Sequence, residues 1–319
     1  MKDSVKKPLT LALKLSISAA LLLYLLHKID LEDFLVASKE FPAWTTIPLL
    51  IFFIATTIIG SWRWKVFLNG HGMKQSIGEG IKLYLIGYFF NNFLPSGVGG
   101  DVVRGYRAGK KQQRIGDVYA SIASERLMGL LATLFIALVF LPIVRPPSPI
   151  PLIVLILNAA LWLGTILFVF LDYERILGKI LMKLPMNIGQ KILDFIDAIK
   201  HYKNDKIVLL KGFILSVLYQ GSIITFVVLI ALVCGESQIP ITAFYVFVPL
   251  VWIISMIPIS LNALGVREAS FSYFFTLWGS TEAKGLLVSL IFLGISILSG
   301  IIGGIIWAIS GHKEKALEI

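Results

Sequence analysis

The sequence has a single cysteine, Cys234, set inside an apolar stretch. One thiol excludes a disulfide framework and a cysteine metal site. Histidine is almost as scarce. His27, His71, His201 and His312 are scattered over the ends of apolar stretches and the loops between them, so no histidine metal site is expected. No serine, cysteine or histidine constellation suggests nucleophilic catalysis. No catalytic residue, metal or cofactor is therefore assigned, and an enzyme is not the expected class. Charge is also short: 15% of residues are Asp, Glu, Lys or Arg, against about a quarter in soluble domains. No polar stretch is long enough for a large soluble catalytic domain. The first apolar stretch lacks a small-residue cleavage signal and is read as a retained helix.

What remains is apolar. Hydrophobic residues make up 57% of the 319, and the mean hydropathy is +0.84. Several runs reach the roughly 20 residues needed to cross a bilayer. The sequence predicts an all-α polytopic membrane protein with one domain over 1–319. The net charge of +10 fits a basic cytoplasmic face and gives no reason to expect nucleic acid.

Full spans are expected at about 8–27, 44–67, 117–142, 150–171, 207–234 and 284–310. Trp44 at one end of the second, and Trp62 and Trp64 at the other, suit the two interfaces, with Arg63, Lys65 and Lys74 marking a cytoplasmic exit. Ser76-Ile77-Gly78-Glu79 reads as a capping box that starts a helix. That helix is short for a crossing, and it is followed by Arg104, Arg107, Lys110, Lys111 and Arg114. A full crossing would put these basic residues outside, against the positive-inside rule. A re-entrant hairpin removes the conflict. The segment 172–206 reads as cytoplasmic. Within it Ile188, Ile192, Phe195, Ile196 and Ile199 recur at helical spacing opposite Lys191, Lys200 and Lys203, as in an interfacial amphipathic helix. Gly300 and Gly304 form a GxxxG pair, read as close helix packing rather than dimerisation. A homo-oligomer is left open.

With this topology only Lys28, Lys39, Arg145 and Lys284 fall outside, and both termini are cytoplasmic. The halves 1–145 and 146–319 each hold three spans and one hairpin. Three crossings force the second copy upside down. The expected architecture is thus an inverted repeat of six spans and two hairpins meeting near the midplane. Eight full spans are the alternative, if 78–116 and 241–280 cross the bilayer.

Two breaks organise the chain. The first is Asn91-Asn92-Phe93-Leu94-Pro95-Ser96-Gly97-Val98-Gly99-Gly100-Asp101-Val102-Val103-Arg104; the second runs from Pro258 through Ser260, Asn262-Ala263 and Gly265 to Arg267-Glu268. Matched breaks in two halves of a membrane protein point to a binding site. Pro95 cannot continue a helix, while Gly97, Gly99 and Gly100 permit close backbone approach. A helix starting near Asp101 would aim free amides into the break, with Arg104 one turn on to fork a phosphate. The candidate headgroup-binding set is Asn91, Asn92, Pro95, Ser96, Gly97, Gly99, Gly100, Asp101, Arg104, Glu125, Arg126, Ser260, Gly265, Arg267 and Glu268. Its charged members, three acids and three bases, can also balance one another as a purely structural network. Asn91 and Asn92 could equally satisfy backbone groups at the helix end.

These two runs, with Glu125-Arg126-Leu127-Met128-Gly129, resemble the signatures of the lysylphosphatidylglycerol synthase/flippase transmembrane family, over nearly the whole chain. The family's usual aspartate before the arginine is Glu125 here, and a glycine common near the second signature is replaced around Asn262-Ala263. Bifunctional relatives add a soluble domain that transfers an amino acid from aminoacyl-tRNA to phosphatidylglycerol; this sequence is expected to lack it. The resemblance then implies a flippase or scramblase of the cytoplasmic membrane. Its cargo would be an anionic phospholipid or an aminoacyl- or glyco-lipid, and a separate lipid-modifying enzyme could be its partner. Two alternatives stay open: a membrane subunit or enzyme of lipid modification, with Glu125 or Glu268 as acid or base, and a small-anion transporter.

Overall fold

A computed structural model describes residues 15–21, 23–24, 31–94, 98–171 and 188–316, and among these there is no strand. Pro95, Ser96 and Gly97 lie outside the described residues, as do 172–187 and most of the first expected span. The helices are α1 Leu31–Lys39, α2 Thr46–Gly70, α3 Ile77–Phe93, α4 Gly99–Gln112, α5 Ile115–Val144 and α6 Ile150–Phe170. They continue with α7 Ile188–Lys200, α8 Lys206–Val233, α9 Ile241–Ser255, α10 Val266–Leu277 and α11 Glu282–Ala316. Five stretches among the described residues are long and apolar enough to cross a membrane: Ala43–Gly70, Ile115–Val144, Ile150–Phe170, Lys206–Val233 and Glu282–Ser310. Each matches an expected span.

Local chemistry sets several of these boundaries. Ser76 Oγ accepts the Glu79 N–H and starts α3. The Glu79 carboxylate does not reach back to close the box; it takes Lys111 Nζ at 2.7 Å, because α4 returns beside it. Asp205, unremarked in the sequence, caps α8 by accepting the Val208 N–H. The amphipathic helix forms at α7, followed by a 3₁₀ turn at His201–Asn204.

In both interrupted segments the two ends lie close together. At the open end of the first, Gln112 Nε2 donates to Lys74 O and Arg114 Nη1 to His71 O. At the open end of the second, Lys284 Nζ donates to Gly235 O, and Ser280 Oγ donates to the Glu236 carboxylate. Glycine permits the close packing of the first hairpin: a Cβ on Gly100 would stand 2.1 Å from the Gly87 carbonyl oxygen.

Helix α11 receives both hairpins along one stripe. Its Gly303 lies against the Leu85 backbone and Gly300 against Phe89, and Ser296 O accepts from Asn92 Nδ2 at 2.8 Å. Higher up, Ser289 Oγ accepts from Arg267 Nε, and Gly285 lies against the Phe271 and Ser272 backbone. The GxxxG glycines are therefore used within the chain. The hairpins come to α11 from opposite ends. Their inner ends reach Ser296 and Ser289, two turns apart, or about 10 Å at helical rise. Helix α5 also packs on α9, and α11 on α3.

The main core joins α2, α8, α9, α10 and α11 through rings such as Phe53, Phe226, Phe247, Phe271 and Phe292. A smaller core lies under the first hairpin: Trp64, Leu68, Tyr84, Val118 and Ile122. Trp64, expected at an interface, is fully buried there, and its indole N–H donates to Ser121 Oγ at 3.0 Å. Helix α2 packs against both α3 and α5. Trp44 and Trp62 stay exposed.

Candidate functional site

The site is built on Glu125, which lies about 15 Å along α5 from its start at about 1.5 Å per residue. It is 1% exposed and accepts from three side chains on three other helices. Arg63 of α2 donates through Nη2 at 2.5 Å and Nε at 3.1 Å. Arg104 of α4 donates through Nη2 at 2.9 Å, and the Tyr84 hydroxyl of α3 donates to the same carboxylate. One carboxylate thus ties α2, α3, α4 and α5 together.

Aromatic rings complete the shell. The Arg104 guanidinium lies 4.5 Å from the ring centres of both Trp64 and Tyr84, and Arg63 lies 4.5 Å from that of Tyr219. These are cation–π distances. Toward the rim Asp101 Oδ1 stands 3.0 Å from Arg104 Nη2, while Arg126 Nε donates to Asp101 Oδ2 at 2.5 Å. The Arg126 side chain is half exposed; Arg104 is 4% exposed.

Three guanidinium nitrogens in this cluster are buried without a hydrogen-bond partner among the described residues: Arg63 Nη1, Arg104 Nε and Arg104 Nη1. Buried polar groups are nearly always paired, so three on two adjacent arginines need a reason. Guanidinium N–H groups donate strongly to phosphate and carboxylate oxygens.

The second break is different. Arg267 donates to Glu268 Oε1 through Nη2 at 2.7 Å and Nε at 3.2 Å, and to Ser289 Oγ. Glu268 Oε2 accepts the Gly265 N–H at 2.6 Å, so the start of α10 is capped by its own chain. Glu268 is fully buried, and no nitrogen of this pair is among the buried atoms without a partner in the described residues. Gly265 holds φ +82, and Leu21 packs where a Cβ would go. Ser260 is buried with its Oγ unpartnered, beside Leu261, whose N–H donates to Ser18 Oγ.

The expected set of six balancing charges is therefore two sets. Asp101, Arg104, Glu125 and Arg126 come together with Arg63; Arg267 and Glu268 form a separate, neutral pair. Asn91 Oδ1 accepts the Gly100 N–H at 2.7 Å and so satisfies one amide at the start of α4. Asn92 binds Ser296 and fastens the hairpin to α11. Gly99 and Gly100 serve close packing.

Arg63 is the residue that sequence reasoning misplaced, as a marker of the cytoplasmic exit. A signal was present. Thr56, Gly60, Arg63 and Phe67 recur at helical spacing, and small residues mark the packed face of a membrane helix. Tyr84 and Tyr219 carry no comparable signal. Two hollows lie elsewhere. One of about 470 Å³ is lined by His201 and Asn204 to Ile207, and one of about 390 Å³ by Tyr24 and the outer face of α10.

A family model described as the lysylphosphatidylglycerol synthase TM region matches residues 11–304. The chain belongs to this family. Its long apolar helices and membership of the family make it a membrane-embedded protein. No curated protein and no solved structure matches it. The matched region contains both breaks and all five residues of the Glu125 cluster.

Proposed function

We propose that this chain moves a lipid between the leaflets of the cytoplasmic membrane, and that Arg63 and Arg104 hold the lipid's anionic headgroup. The observation that carries this reading is the set of three buried, unpartnered guanidinium N–H groups beside Glu125, inside a bundle of membrane-length helices. Arginine forks of this kind suit phosphate. Acyl chains would stay in the bilayer while the headgroup passes through the protein.

The element order supports an inverted repeat. Amphipathic helix, long helix, two-limbed hairpin and long helix occur as α1 to α5 and again as α7 to α11. The two hairpins approach α11 from opposite ends, as copies of opposite orientation would. In this reading Lys110, Lys111 and Arg114, at the open end of the first hairpin, are cytoplasmic. Both termini are cytoplasmic as well, and the second hairpin enters from outside. Six spans and two re-entrant hairpins result. Broken helices at an interface between repeats are where transporters of this build place their cargo.

Access runs past Arg126, which is half exposed and holds Asp101 at the rim. Glu125 and Arg104 are closed off from solvent, so α4 must shift from α5 for a headgroup to enter. The test is transport of a fluorescent phospholipid in proteoliposomes. The protein should transport above empty vesicles, and Arg104→Gln should bring the rate close to theirs. Equal transport by Arg104→Gln contradicts the assignment.

A further inference from the structure

The buried charges around Glu125 do not cancel. Arg63 and Arg104 flank one carboxylate, and at the rim Asp101 is met by Arg104 and Arg126. Among the described residues three guanidinium groups thus face two carboxylates, an excess of one positive charge. The deep part alone, Arg63, Arg104 and Glu125, carries the same excess, since Asp101 and Arg126 balance each other. Tyr84, Trp64 and Tyr219 contribute a hydroxyl and ring faces but no ionic charge. In the second break Arg267 and Glu268 cancel.

An uncompensated charge among apolar helices is costly, and groups there are kept paired. A ligand with one negative charge brings the cluster to neutrality. A ligand with two overshoots it by as much as the unliganded site falls short. The unpartnered donors, Arg63 Nη1, Arg104 Nε and Arg104 Nη1, can each donate to an unesterified oxygen of a phosphodiester. Gly129 keeps the Arg63 edge open. A Cβ there would stand 3.3 Å from both Arg63 Nη1 and Gln220 Nε2.

Resting on the anionic-headgroup reading above, we propose that this site selects a singly charged phosphodiester headgroup over a doubly charged phosphomonoester. Arg63 and Glu125 set that selection through the net charge, Arg63 supplying the excess and Glu125 limiting it to one.

The experiment is competition for the purified full chain in nanodiscs, using fluorescent phosphatidylglycerol as the probe. The competitors are phosphatidylglycerol, diacylglycerol and phosphatidate at alkaline pH, where its phosphate is doubly ionised. The wild type should favour phosphatidylglycerol over both by about tenfold or more. Glu125→Gln raises the excess by one charge and should shift the preference toward phosphatidate by about tenfold. Arg63→Gln removes the excess and should abolish the preference over diacylglycerol; Arg63→Lys keeps the charge and should preserve it. The two Arg63 variants read the charge independently if Glu125→Gln does not fold.

Phosphatidate bound as well as phosphatidylglycerol, with no change in the variants, overturns the charge rule and leaves an anionic-lipid site standing. A wild type that prefers neither anionic lipid to diacylglycerol overturns both readings. A soluble competitor, glycerophosphoglycerol, separates lipid from free anion. Failure to displace the probe supports a lipid ligand. Displacement as strong as that by the lipid keeps the charge rule and contradicts the lipid reading.

Discussion

Arg63 and Glu125, 62 residues apart in the chain, form a buried ion pair with Arg63 Nη2 at 2.5 Å from Glu125 Oε1. The pair joins α2 to α5 in the apolar interior. Removing one member of a buried pair leaves the other uncompensated, at about 3–5 kcal/mol. Glu125 keeps Arg104 and Tyr84 when Arg63 is lost and no charge is stranded, so Arg63→Gln should cost less than that range. Glu125→Leu strands two arginines and should cost more. Thermal unfolding in detergent checks the order; equal melting of the two variants would contradict it.

The second break should respond differently. Glu268 is fully buried, with Arg267 as its ionic partner. Arg267→Gln should therefore lower stability by about 3–5 kcal/mol. The double replacement Arg267→Gln with Glu268→Gln should recover part of that loss, because no charge is left stranded. Neither change should alter the preference for anionic over neutral lipid at the first break. A change in that preference, measured by lipid competition, would place ligand binding at both breaks.

Gly303 and Gly100 touch the backbone of a neighbouring helix. A Cβ on Gly303 would lie 1.8 Å from Leu85 O, and one on Gly100 would lie 2.1 Å from Gly87 O. Backbone cannot rotate away as a side chain can, so alanine at either site should destabilise by about 1–3 kcal/mol or more. Gly164, with nothing within 4 Å of its Cβ position, is the control and should tolerate alanine. Melting temperatures of the three variants decide this.

The helical plan was legible in the sequence because bilayer length and charge asymmetry are written in single residues. Apolar runs located the five described long helices. Ser76 marked the start of α3, and the bunching of Lys110, Lys111 and Arg114 argued for a return. The partners of the site were less legible. Arg63 sits one residue from Trp62 and two from Lys65, so its local sequence reads as an interface. Only the turn of α2 shows that Arg63 faces inward with Gly60 and Phe67, while Trp62 faces out. The division of six charges into two sets was equally hidden. It depends on α11 carrying Asn92 and Arg267 at different heights, which is a fact of packing between distant segments. The partner of Asn91 was hidden as well, because nothing in its neighbourhood shows that the Gly100 amide returns to it.

His71 gives a pH dependence outside the spans. It follows α2, stacks on His201 at 5.1 Å, and lies edge-on to Tyr202 at 4.8 Å. Burial pushes its pKa below the ordinary value; Asp117 opposes the shift, while His201 and Arg114 reinforce it. A depressed folded-state pKa means that folding favours the neutral ring. The contact between the turn after α7 and the end of α2 is then fully present above about pH 6.5, the unfolded value, and weakens as pH falls below it. Hydrogen exchange over 188–204 should accelerate on acidification, and His71→Phe should flatten the response. Exchange that is equally pH-dependent in both proteins would contradict this.

The most direct measurement is a cryo-electron microscopy map of the full chain in phosphatidylglycerol nanodiscs. A lipid phosphate within hydrogen-bond reach of Arg63 Nη1 and Arg104 Nη1 is the expected result. A map in which these nitrogens are met only by protein oxygens, with lipid confined to the outer surface of the bundle, would contradict it.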